Sequence, residues 1–262
     1  MNAGTAIHPT AIIDAGATLD PSVEVGPYSI IGPNVVIGAG TVIGPHVVLK
    51  GPMTIGRNNR IFQFASVGEI SQDITARPDD DTRVEIGDGN TIREYVTIQR
   101  GTLKDAGLTK VGDNNWIMNG VHIGHDSIIG NHNILANNTA LAGHVLMGDY
   151  VGCGGFTMIH QYCQMGSHAF SGGGSLITRD VAPYIIVQGH PAEARGVNVE
   201  GLRRRGFSAE EISSIREAYK LVYVSGKLMD EVKRELAVMA QDSPHVAQML
   251  KFIEGSKRTL QR

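Results

Sequence analysis

Ile31-Gly32-Pro33-Asn34-Val35-Val36-Ile37-Gly38-Ala39-Gly40-Thr41-Val42-Ile43-Gly44 returns to an aliphatic residue at every sixth position, with Gly directly after it. Extended outward, the same phase takes in Ile7, Ile13, Leu19 and Val25 before this stretch, and Leu49, Ile55, Ile61 and Val67 after it. It slips by one residue, resumes at Ile86, Ile92 and Ile98, and slips by one again. From Val111 it runs through Ile117, Ile123, Ile129, Leu135, Leu141, Met147, Cys153, Ile159, Met165 and Ser171 to Ile177. A period held this long outranks any local propensity. Each hexad supplies one short strand and one corner, and three hexads close a triangular coil of about 18 residues. The coils stack at about 4.8 Å. The sequence therefore predicts a mainly β chain wound as a parallel β-helix, with the repeated aliphatic pointing inward. Alternating strands of a sandwich would not keep a six-residue phase.

The composition agrees. Aromatic residues make up 5% of the 262 residues, while Gly numbers 33. That balance suits a narrow aliphatic core with tight corners. Cys153 and Cys163 lie in aliphatic surroundings without a CxxC spacing, and read as small buried hydrophobes of a reducing compartment. The start, Met1-Asn2-Ala3-Gly4, has neither a basic nor an apolar leader pattern, and no apolar run is long enough to cross a bilayer. A cytoplasmic location without stable membrane insertion is expected, and a net charge of -3 gives no reason to expect nucleic acid.

The two slips mark two insertions, roughly 69–83 (Glu69 to Arg83) and roughly 100–110 (Arg100 to Lys110). Both are polar and rich in turn formers, and are expected to leave the coil as external loops. The hexads fade after Ile177, so a β-helix domain over 1–198 and a C-terminal α-helical domain over 199–262 are expected. Ser208-Ala209-Glu210-Glu211 is a capping box, with Gly226 as the expected stop of its helix. Further helices are expected from about Met229 to Ala240 and from about Pro244 to Ile253. From Gly201 onward, 12 Lys/Arg face 8 Asp/Glu, so this part is basic.

Stacked coils let spacing stand for adjacency. His125, Gly143 and Gln161 are 18 apart, as are Asp126, His144 and Tyr162. His122, His125, Asp126, Gly143, His144, His160 and Gln161 should form one polar strip along a corner. A His can act as a general base near neutral pH, and an adjacent Asp can orient it. A Gly one coil above presents an unobstructed N–H to a developing oxyanion. No Ser or Cys shares the column, so direct attack by a substrate hydroxyl is expected, without an acyl-enzyme.

Ile123-Gly124-His125-Asp126, Leu141-Ala142-Gly143-His144, His160-Gln161-Tyr162-Cys163 and Asn198-Val199-Glu200-Gly201-Leu202-Arg203-Arg204-Arg205-Gly206-Phe207 together resemble the bacterial UDP-N-acetylglucosamine O-acyltransferase family. The resemblance covers nearly the whole chain. It implies a left-handed β-helix and transfer of a (3-hydroxy)acyl chain from acyl carrier protein to the glucosamine 3-hydroxyl of UDP-N-acetylglucosamine. That reaction is the first step of lipid A biosynthesis. The family works as a homotrimer without cofactor or metal, with its active sites between neighbouring subunits. Carried over, the resemblance makes His125 the base, Asp126 its orienting partner and the Gly143 amide the oxyanion donor. Gln72, Asp73, His122 and His144 would meet the glucosamine. His160, Gln161, Asn198, Glu200, Arg204 and Arg205 would meet the uridine diphosphate, where paired guanidinium groups suit a diphosphate. Phe170, Gly173 and Pro191 would border the acyl-chain groove. Gly173 leaves that groove open, which points to chains of twelve to fourteen carbons.

The chain departs from the family pattern twice. Ile74-Thr75 stand where a Lys usually follows the Gln-Asp pair, with Arg77 as a substitute cation. Gln99 stands in Gln99-Arg100-Gly101-Thr102 where the family has His. These changes keep open an altered acceptor, such as a 3-amino sugar, or a non-catalytic paralogue. A zinc carbonic anhydrase of the β-helix type would need His122, His125 and His144 to converge on one metal. The related N-acyltransferase of the same pathway carries an extra N-terminal domain, for which hexads starting at Ile7 leave no room.

Overall fold

A computed structural model describes residues 7–261; Met1 to Gly4, read above for a leader, lie outside the described residues. The aliphatic hexads close three flat parallel sheets around one axis. The first face runs from Ile12–Ile13 to Leu176–Ile177, the second from Thr18–Leu19 to Gln164–Met165, and the third from Glu24–Val25 to Phe170–Ser171. Most strands are two residues long, with one side chain outward and one inward. Ile31, Leu49, Ile61, Ile98, Ile117, Ile123, Leu135 and Leu141 are among the inward residues that lose essentially all contact with solvent. Register repeats every 18 residues, as Ile13 pairs with Ile31 and Ile31 with Leu49. The handedness is left, as in the solved relatives below.

Buried polar side chains reinforce the stack along the axis. The backbone N–H of Asn90 donates to the Asn59 side chain (2.8 Å), that of Asn115 to Asn90 (2.8 Å), that of Asn133 to Asn115 (2.9 Å) and that of Val151 to Asn133 (2.7 Å). These bonds pin one coil to the next, and only the Asn133 side-chain nitrogen of this ladder is left without a partner among the described residues.

The corners follow a rule visible in Gly26-Pro27-Tyr28, Gly32-Pro33-Asn34 and Gly44-Pro45-His46. The second residue after the inward aliphatic has no N–H in the ladder, so Pro costs no hydrogen bond there. The third residue takes a left-handed conformation: Tyr28, Asn34 and His46 have φ of 59, 56 and 55°. That conformation costs an L-residue on the order of 1 kcal/mol. Rings at this position recover contact by stacking, as in Tyr28–His46–Phe64–Tyr95 with centroids 5.2 to 5.5 Å apart. His125, Gly143 and Gln161 occupy the second position of their corners, and Asp126, His144 and Tyr162 the third.

Both insertions leave the same corner, between the first and second faces. The first separates strands Ser66–Glu69 and Arg83–Ile86, and the second separates Thr97–Gln99 from Leu108–Val111. The loops are shorter than the sequence indicates. Lys110 belongs to a strand because Leu108 and Thr109 pair with Arg83 and Val84, extending the ladder backward from Val111. The loops proper are 70–82 and 100–107.

The last coil is compressed: Ser171 pairs with Val187, 16 residues on. This overturns one sequence expectation. The position above Gly173 falls to Gly189, while Pro191 sits in the turn of an antiparallel hairpin, Ile185–Gly189 with Ala192–Val197. A short helix that the sequence reading did not separate, α1 (Val199–Arg204), follows. Then come α2 (Ala209–Tyr223), α3 (Met229–Met239) and α4 (Pro244–Gly255). The capping box opens α2 as expected, with Ser208 bonded to the Glu211 N–H and Glu211 reaching back. Helix α2 ends at Tyr223, before Gly226, and α4 runs two residues past Ile253. The chain then returns to the β-helix, where Leu260 bridges Asp180 and the Gln261 N–H donates to the Asp180 carbonyl (2.7 Å).

Candidate active site

The corner between the first and second faces gathers the predicted strip. His125 follows strand His122–Ile123, and its Nδ1 lies 2.9 Å from Asp126 Oδ2. Asp126 is nearly fully buried and accepts three bonds from Thr102: from the N–H to both oxygens (2.9 and 3.1 Å) and from Oγ1 (2.7 Å). A carboxylate so satisfied is fixed in position, and it holds His125 by Nδ1, leaving Nε2 without a hydrogen-bond partner among the described residues. Gly143 lies directly over that ring. A Cβ built on it would fall 2.5 Å from His125 Nε2, so any residue but Gly would displace that ring. Its N–H occupies the corner position that Pro fills elsewhere, and among the described residues it makes no hydrogen bond. A free amide beside the free imidazole nitrogen is the arrangement that acyl transfer to a hydroxyl needs.

His144 stacks on Tyr162 (4.4 Å) and meets His125 edge-on (5.1 Å). Its two nitrogens face carboxylates, Nδ1 at 3.0 Å from Asp105 and Nε2 at 3.7 Å from Asp126. His122 shares its Nδ1 with Thr97 Oγ1 (2.8 Å), and burial, then the neighbouring His125, hold it below the usual imidazole range. His160 and Gln161 sit one coil further on. His160 is exposed with Nδ1 on the Gln161 carbonyl, which also accepts from Arg258 (2.7 Å).

The insertions stack beneath this corner. Gln72 donates its N–H to the Gln99 side chain (3.1 Å), so the neutral Gln99 braces the first loop. Asp73 is held by Lys104 of the second loop (2.6 Å) and by Thr75, which together keep its carboxyl well below the usual range. Arg77, proposed above as a substitute cation, turns to the carbonyls of Ile74 and Ala76 within its own loop. The second loop thus brings Thr102, Lys104 and Asp105 to three site residues. Sequence reasoning gave Lys104 and Asp105 no role, because a loop outside the repeat has no column arithmetic; the slip at Val111 located only the loop.

Other predicted residues lie elsewhere on the prism. Asn198 caps α1 and donates to the His168 carbonyl (3.0 Å). Arg204 pairs with Glu200 (3.0 Å) in the open, and Arg205 lies over the Tyr150 ring (5.1 Å). This is the corner between the second and third faces. Gly173 and Phe170 belong to the third face and its corner with the first. A side chain on Gly173 would touch only Gly155 (3.4 Å), while the Phe170 ring folds over Gly152. One chain therefore does not bring the histidines, the arginines and the groove residues together.

The donor atoms of His125, Asp126 and His144 lie within 4.8 Å of one another, the spacing a metal needs. His122 is outside that group, so the imidazole trio required by the carbonic anhydrase alternative does not form. The Asp126 oxygens are engaged by Thr102 and His125. Cys153 and Cys163 are buried, and burial pushes their thiols up to about 12 and about 11. No described helix is long and apolar enough to cross a membrane.

This fold, with a histidine strip on one corner, defines a hexapeptide-repeat transferase. The sequence model of the bacterial transferase hexapeptide repeats matches residues 4–39 and 108–143, and that of UDP-N-acetylglucosamine O-acyltransferase, domain 2, matches 180–261. An acyl-[acyl-carrier-protein]–UDP-N-acetylglucosamine O-acyltransferase of Stutzerimonas stutzeri (strain A1501) is 54% identical over 213 residues, 81% of this chain and 82% of that one. The solved UDP-N-acetylglucosamine acyltransferase of Francisella novicida superposes with a TM-score of 0.96 at 41% identity, covering 98% of this chain and 94% of that one. That of Moraxella catarrhalis gives 0.96 at 45%, covering 98% and 100%. The chain belongs to the acyl-[acyl-carrier-protein]–UDP-N-acetylglucosamine O-acyltransferase family.

Proposed function

We propose that this acyltransferase moves a (3-hydroxy)acyl chain from acyl carrier protein to the glucosamine 3-hydroxyl of UDP-N-acetylglucosamine, as the first step of lipid A biosynthesis in the cytoplasm. The observation that carries the reading is the free Gly143 N–H over the free Nε2 of an Asp-oriented His125. Nε2 takes the hydroxyl proton as the oxygen attacks the thioester carbonyl. The oxyanion forms against the Gly143 N–H. As it collapses, the carrier's sulfur leaves and takes the proton back from His125, so no acyl-enzyme is needed. Relatives named as O-acyltransferases favour a hydroxyl acceptor over the 3-amino sugar, and the intact relay argues against a non-catalytic paralogue.

His122, His144, Gln72 and Asp73 form the wall on the sugar side. His160, Gln161, Asn198, Glu200, Arg204 and Arg205 serve the uridine diphosphate. Gly173, with Phe170 beside it, sets the depth of the acyl groove; Gly189 takes the place of Pro191 above it. Because the histidines, the arginines and the groove residues lie on three corners of the prism, the active enzyme is a homotrimer whose sites form between neighbours. Exposed apolar side chains on the faces, among them Trp116, Ile134 and Leu146, support such packing.

The test is mass spectrometry of the product from UDP-N-acetylglucosamine and a panel of acyl carrier protein thioesters. An O-acylated sugar nucleotide carrying twelve to fourteen carbons is expected, with His125→Ala at least about 100-fold slower. An unchanged rate in well-folded His125→Ala would sink the mechanism.

A further inference from the structure

We infer that Asp105 is a positioning residue, which fixes the proton of His144 on Nδ1 and so leaves Nε2, 3.7 Å from Asp126 Oδ2, as a hydrogen-bond acceptor for the acceptor sugar beside the His125–Asp126 pair. The inference rests on the proposed function for the identity of the acceptor alone. Asp105 Oδ2 lies 3.0 Å from His144 Nδ1, and its other oxygen accepts the Ala106 N–H at 2.9 Å. An ionised carboxylate has no proton to give, so the shared proton belongs to the imidazole nitrogen. His144 is buried, and its ring plane is set by the stack on Tyr162. With Nδ1 committed, Nε2 is the nitrogen left near the relay.

The contact is preorganised. Asp105 projects from an exposed loop, and a lone surface carboxylate would gain little from a neighbour. This loop, however, is tied down just ahead of Asp105. Thr102 binds Asp126, Lys104 binds Asp73, and the Asp105 N–H donates to the Thr102 carbonyl (3.2 Å). The cleft beside it, about 570 Å³, has Asp105, Asp126, His144, Tyr162, Lys257 and Arg258 among its polar lining residues. The result is two Asp–His pairs set edge to edge: Asp126–His125 for proton transfer and Asp105–His144 for holding the acceptor.

Imidazole nitrogen resonances of His144, assigned with His144→Gln, test this in the full-length protein with Asp105→Ala and Asp105→Asn. The wild type should show a protonated Nδ1, and Asp105→Ala should move the proton toward Nε2. With UDP-N-acetylglucosamine as the varied substrate, Asp105→Ala should raise KM about tenfold and change kcat less than about twofold. In a His144→Gln background the same substitution should have no further effect on KM. An Nδ1 signal identical in wild type and Asp105→Ala, or an unchanged KM, overturns the inference. If the wild type makes no acyl product, the proposed function fails, and the resonances still decide the role of Asp105.

Discussion

At the scale of residues, Gly143 is the position where an added side chain would meet the His125 ring directly. Gly143→Ala keeps the amide N–H but sets a methyl group into the His125 ring. We predict a fall in kcat of at least about 100-fold with little change in thermal stability, since the ring can swing out of the relay. Single-turnover kinetics with a melting curve checks this, and near-normal turnover would show that the ring position is not critical. The pair was legible in the sequence because 18-residue spacing becomes contact once coils stack. Asp105 was not legible, because its place depends on Thr102, Lys104 and Ala106 fixing the path of a loop that obeys no repeat. Pro191 misled for the opposite reason: the column was extended past Ile177, where the last coil loses two residues.

At the scale of elements, the junction between the β-helix and the helices carries a pH-sensitive contact. His132, Tyr150, His168 and Tyr184 stack along one corner, and Phe207 and His245 from the helical part close over the last two. Among the described residues, the buried His168 Nδ1 has no hydrogen-bond partner. Burial, then Arg205 and His245, push its pKa down to about 4, with Asp149 opposing. A base with a lowered folded pKa takes up protons first in the unfolded chain. Its contribution is therefore complete above the unfolded value near 6.5 and is lost as pH falls toward about 4. The melting temperature should drop across that window, and His168→Phe, which keeps the stack, should flatten the drop. Equal slopes in the two proteins would assign the acid sensitivity to other groups. The capping box and the helix starts at Met229 and Pro244 were readable, since caps are local. Helix α1 was not separated, because six residues give too little periodicity.

At the scale of the whole molecule, the prism spreads the proposed site residues over three corners. A chain with His125→Ala and a chain with Arg204→Ala should each be nearly inactive. Co-expressed and purified as mixed trimers, they should regain about a quarter of the wild-type sites, those that take His125 from one copy and Arg204 from its neighbour. Mixed trimers no more active than their parents would put both residues in the same chain's site. The ladder of Asn side chains and short strands has a mechanical consequence as well. Every coil is bonded only to the coils beside it, so a force applied along the axis meets one rung at a time. An ordinary rung holds 18 residues, but 31 separate Val67 from Ile98 and 25 separate Ile98 from Ile123. At about 3.5 Å of extended chain per residue, ordinary steps release about 60 Å, while the two looped coils give steps of about 110 and about 90 Å. The loops beneath the histidine corner therefore leave a signature in the length record of a single stretched molecule, marking where along the prism the unwinding has reached.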